Sequence, residues 1–157
     1  MRSISTMCFL LAAGLVSARA ADVEFIRVWP SWRDATSFER ISEYFTGEEN
    51  NGREVVLRTH ADQRGGFYYL VRVKNSGSEQ VGAQFVLHVV MPTSPEVRVI
   101  TFAAAVPHRT RVFELGLTGA DWPTKDTHPV AWKLELRSAD DQLLASSQSF
   151  LWEKPAK

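Results

Sequence analysis

The chain has 157 residues, and its 18 basic and 18 acidic side chains balance, leaving no basic footprint for nucleic acid or an anionic membrane surface. Its one cysteine, Cys8, excludes an intrachain disulfide framework and a zinc site built on several thiolates. No run of like charge is longer than Glu48-Glu49 or Asp140-Asp141, and no repeat, low-complexity segment or Pro/Gly-rich linker divides the chain.

Residues 1–20 read as a cleavable secretory signal. Met1-Arg2 supplies a short positive start, Met7 to Val16 an apolar core, and Ser17-Ala18-Arg19-Ala20 the small residues before a cut at Ala20/Ala21. The apolar run is about ten residues, half of the ~20 that span a bilayer, so no retained anchor is expected. Cleavage removes Cys8, Arg2 and Arg19 and no acid. The mature chain then has 137 of the 157 residues, 16 basic against 18 acidic, and must fold on its core alone.

Over residues 21–157 the dominant signal is period-two alternation, which predicts strands with one buried face. A first strand is expected near 23–29. Between it and the next, Phe38, Ile41 and Phe45 recur at helical spacing, with Thr36 or Ser37 to cap and Gly47 to stop, which predicts one short amphipathic helix near 37–46 lying on the sandwich. A weak strand follows near 53–59. Phe67, Tyr69, Val71 and Val73 then alternate with Tyr68, Leu70, Arg72 and Lys74. Phe85, Leu87, Val89 and Met91 alternate with Gln84, Val86, His88 and Val90. Weaker strands near 97–102 and 143–152 flank two clear ones, carrying Phe113, Leu115 and Leu117, then Val130, Trp132, Leu134 and Leu136. Asn50-Asn51-Gly52, Gln63 to Gly66, Asn75-Ser76-Gly77, Pro92 to Pro95 and Ser138 to Asp141 provide the turns. Seven to eight strands of this kind need two layers, so the expected fold is an all-β, antiparallel sandwich in a single domain.

The stretch Tyr69-Leu70-Val71-Arg72-Val73-Lys74-Asn75-Ser76-Gly77, the strand ending at Met91-Pro92, the segment Val106 to Phe113 and the closing hairpin from Trp132 to Trp152 carry a resemblance. Over residues 66–152 the chain resembles bacterial immunoglobulin-like modules of the cell-adhesion-related (CARDB) type. It departs from them before residue 66 and lacks a glycine in the turn at Pro107-His108-Arg109. The resemblance implies an immunoglobulin-like sandwich with a binding or accessory role, and it transfers no functional residue.

Few residue patterns point to chemistry. His60, His88, His108 and His128 show no metal-ligand spacing, and no Gly-flanked serine elbow exists. Asp121, Asp126 and His128 are the best candidates for a loop-built hydrolytic site, set against a solvated turn. Glu48/Glu49 and Asp140/Asp141 fall in turns, where carboxylates stay solvated. Arg58, Arg64 and Arg72 could gather as an anion or partner patch, or be spent in surface ion pairs. Trp29-Pro30-Ser31-Trp32 and Asp121-Trp122-Pro123 place three tryptophans beside proline or turn residues. Exposed Trp stacks on sugars or anchors partners, so Trp29, Trp32 and Trp122 are the candidate binding residues; the competing reading plugs them into the ends of the core. Trp132 and Trp152 are read as core.

The sequence thus predicts an exported, non-enzymatic binding or accessory module of the periplasm or extracellular space. No cofactor and no transmembrane segment in the mature chain are expected, and the partner is an envelope protein or a glycan. The alternatives are a carbohydrate-binding module using the loop tryptophans and, last, a hydrolase.

Overall fold

In the computed structural model, residues 22–122 and 124–152 are described, so the predicted signal over residues 1–20 lies outside them. Eight strands form two facing four-stranded sheets, the all-β sandwich that the alternation implies. One sheet has the order β1 (Val23–Arg33), β3 (Gly66–Asn75), β6 (Thr110–Thr118), β2 (Val55–Arg58). The other has the order β5 (Ser94–Val106), β4 (Gln80–Met91), β7 (Ala131–Arg137), β8 (Leu143–Gln148). Every pairing is antiparallel except β2 with β6, which run parallel from Val55 opposite Phe113 to Arg58 opposite Gly116. Pairing is a long-range choice, and no local residue pattern announced a parallel neighbour.

The inward residues are those of the alternating sets. Phe67, Tyr69, Val71 and Val73 of β3 and Phe113, Leu115 and Leu117 of β6 meet Phe85, Leu87 and Val89 of β4 and Leu134 and Leu136 of β7. Each such side chain contributes about 1.5–3 kcal/mol on burial. Phe85 tilts against Phe113 at 4.9 Å, and Tyr69 meets Trp132 edge-on at 5.5 Å, which locks the two layers in register. The turn at Asn75 is fixed from within. Its amide donates to Ser78 and Val106 carbonyls, and its oxygen accepts from Gly77 N–H.

β1 continues through Pro30 to Arg33, beyond the predicted end near residue 29. It is an edge strand paired only with β3, where a missing N–H costs the ladder nothing. β8 ends at Gln148, and the chain turns, with Trp152 N–H donating to the Ser149 carbonyl. Trp152 therefore reaches the outside of its sheet, 6.0 Å from the outward-facing His88, rather than the core in which the sequence reading placed it.

The segment between β1 and β2 lies across the outer face of the first sheet as an arm. The predicted helix is present as a 3-10 turn, Ala35–Phe38, and one α-helical turn, α1 (Glu43–Thr46), stopped by Gly47 at φ 72°. Only Phe38 of its apolar set is buried; Ile41 and Phe45 point to solvent. A single anchor explains why two to three continuous turns do not form, since short helices need tertiary packing of a whole face.

Candidate functional site

The three candidate tryptophans do not form one surface. Trp122 is 1% exposed, stacked on Phe67 at 4.6 Å, with its Nε1–H donating to the Thr127 carbonyl at 3.1 Å. It closes the end of the core, which is the competing reading of the sequence and leaves no exposed face for a candidate binding residue. Trp32 lies near the end of β1, faces inward against the core, and donates from Nε1 to Asp34 at 2.9 Å. With Trp122, Gln63 and Gly119 it lines a hollow of about 390 Å³, to which Trp122 offers almost no surface. Trp29 faces the opposite way, half-buried, and the Arg27 guanidinium sits over its ring at 4.9 Å. That face is already occupied by a cation and is not a free stacking platform for a sugar.

The residues of the hydrolytic alternative are likewise not assembled. Asp121 is held by Arg98 Nη2 at 2.6 Å, with His60 Nε2 at 3.3 Å. The exposed His128 packs edge-on against Phe67. Asp126 is exposed in its turn.

The outer face of the first sheet is more structured than the sequence suggests. Tyr68, on the face predicted to be solvated, is fully buried beneath the arm, with the Phe38 ring 4.8 Å away. Its hydroxyl donates to the Arg64 carbonyl and accepts from Arg58 Nε. Gly116, opposite Tyr68 on β6, makes this possible: a Cβ there would lie 2.4 Å from the ring. Arg58 also grips Glu49 through both terminal nitrogens, at 2.6 and 2.9 Å, and lies over the Phe38 ring. Arg64 binds Glu43 at 2.7 Å. Two of the three arginines proposed as a patch are therefore spent in holding the arm, and Glu49 is not the ordinary solvated carboxylate expected. Its hydrogen bonds from Arg58 hold it below the usual range, as those from Arg64 hold Glu43.

Glu114, which no periodicity singles out, is buried on this same face with Arg33 Nη1 at 2.9 Å. Burial pushes its carboxyl up to about 7 against the pull of Arg33, and the nearby carboxyl of Glu54 adds to the rise. A carboxyl raised above its unfolded value of about 4.5 favours the folded state while protonated. Its contribution therefore falls as pH rises from ~4.5 to ~7, by an amount on the order of 3 kcal/mol. Glu114→Gln is expected to flatten that slope in urea unfolding measured at pH 5 and pH 7.5; an unchanged slope contradicts it. Glu43 and Glu49 act in the opposite direction and in a lower window, losing their contribution as pH falls through their depressed values.

The outer face of the second sheet divides into two halves. On the β7 side Lys133, Glu135 and Arg137 form a satisfied charge network, with Arg137 also reaching Asp141. On the β5 side the rows become apolar. Val97 stands opposite Val90 and then Ala131, and Val99 stands beside His88. Val97 and Val99 are 48% and 58% exposed. β5 has 13 residues, pairs only with β4, and forms one lateral border of its sheet. The other borders differ: β2 has four residues, while β1 and β8 lie against each other. No sequence feature beyond the strand itself pointed to this border, because edge position is set by topology.

Comparison with known proteins gives no assignment: no protein-family model matches the chain, and no curated protein is significantly similar to it.

Proposed function

We propose that the chain is exported by residues 1–20 and acts in the periplasm or extracellular space as a non-enzymatic binding module, engaging an extended segment of an envelope protein along β5. One observation carries this reading. A 13-residue border strand has no strand on its outer side among the described residues and carries exposed Val97 and Val99 on its outward face. Such a border offers main-chain hydrogen bonds to an added strand, and the valines supply apolar contact. Strand addition also needs no cofactor and no catalytic group. The resemblance of residues 66–152 to CARDB-type modules points the same way. The tryptophan-based carbohydrate reading finds less support, with Trp122 enclosed and the ring of Trp29 covered by Arg27.

The double variant Val97→Lys/Val99→Lys tests the border. Both side chains are about half solvated, so stability should fall by no more than about 1 kcal/mol. Affinity for the segment recovered from the exporting cell's envelope should fall more than about tenfold, as charges on an edge strand oppose pairing. Equal affinity of the variant and the parent chain contradicts the assignment.

A further inference from the structure

A separate cleft of about 510 Å³ lies on the other sheet, where Thr110 to Val112 of β6 run ahead of the start of β2. Its walls carry four arginines, Arg53, Arg72, Arg109 and Arg111, and one acid, Glu54. The balance of the chain elsewhere makes this concentration informative. Arg33, Arg58, Arg64, Arg98 and Arg137 each bind a carboxylate within 3.1 Å. Among the described residues, the side chains of the four cleft arginines have no hydrogen bond and no ion pair. A second observation is independent of the count: Arg111 Nε is buried without a hydrogen-bond acceptor. Buried donors are nearly always satisfied, so an orphaned guanidinium nitrogen in the wall of a cleft marks a place for an acceptor.

We infer that this cleft is a binding site for a small ligand bearing two or more oxyanion groups, carboxylate or phosphate. Guanidinium forks match the geometry of both groups and bind them bidentately, and four such forks exceed what a single charge requires. The volume falls within the range of small-molecule sites. Arg72 and Arg109 are exposed and so available at the rim, while Arg111 is more deeply set. Glu54, close to the raised carboxyl of Glu114, supplies the only opposing charge in the wall.

The test uses the mature chain with citrate and pyrophosphate as probes, by calorimetric titration at low ionic strength. Arg72→Gln/Arg109→Gln removes two cleft charges from exposed positions, and Lys125→Gln/Lys133→Gln removes two charges elsewhere, one in the exposed turn before β7 and one on β7 of the other sheet. Saturable binding of at least one probe is expected, about tenfold or more weaker in the arginine variant and unchanged in the lysine variant. The stronger probe shows whether carboxylate or phosphate is the natural group. No saturable binding of either probe, or equal weakening in the two variants, overturns the inference.

Discussion

Trp122→Ala is expected to lower the stability of the domain by about 3–5 kcal/mol, the usual cost of deleting a buried aromatic. The indole is enclosed, its ring lies 24° from parallel with Phe67, and its Nε1–H is satisfied by the Thr127 carbonyl. Removal therefore leaves a cavity at the end of the core and an unpaired carbonyl in the following loop. Domains of this size are stable by only about 5–15 kcal/mol, and a chain whose single cysteine is Cys8 has no disulfide to compensate. Thermal or urea unfolding measures the effect. A ligand platform would behave differently: the variant would keep its stability and lose only binding.

Arg58→Ala is expected to cost about 3 kcal/mol, toward the lower end for breaking a buried charge pair because Arg64 remains 3.7 Å from Glu49. Arg58 is the point at which the arm is fastened. Its side chain is 6% exposed, and it joins Glu49, the Tyr68 hydroxyl and the Phe38 ring, so three contacts end together. Amide exchange over residues 39–49 should quicken in the variant, while exchange in β3 and β6 away from Tyr68 should not. If Phe38 alone held the arm, the loss would stay below about 1 kcal/mol and exchange would be unaltered.

The two predictions concern the features that the sequence conveyed least well. Strand positions were legible because each layer buries one face, and Phe67 to Val73 or Trp132 to Leu136 display that alternation directly. The burial of Tyr68 was not legible. Its alternation placed it outward, which is correct, but the cover comes from a segment more than twenty residues earlier. That segment reads as an amphipathic helix lying on the sandwich, but nothing local ties it to Tyr68 or shows that Glu43 and Glu49 pair with Arg64 and Arg58 rather than face water. The mid-strand position of Trp29 and the strand position of Trp32 were missed for a related reason. Proline beside Trp29 and Trp32 suggested a loop, yet an edge strand accommodates Pro30. Of the three arginines grouped in the sequence reading, only Arg72 lines the cleft, where it meets Arg53, Arg109 and Arg111 through the register of β3 with β6 and the parallel approach of β2.

The border of the second sheet follows from topology alone. The β4–β5 hairpin sets β5 beyond β4, and among the described residues no later strand returns to cover it. Charged residues are concentrated toward β7, and the apolar rows toward β5, so the two halves of the face are suited to different surroundings.

Site-specific photo-crosslinking in the exporting cell tests that border most directly, with a photoreactive residue at position 99 and, as a control, at position 31 of β1. The account predicts a discrete envelope-protein adduct from position 99, lost when Val97 is replaced by Lys, and none from position 31. Adduct formation from position 31 alone, or the absence of any adduct along β5, would contradict it.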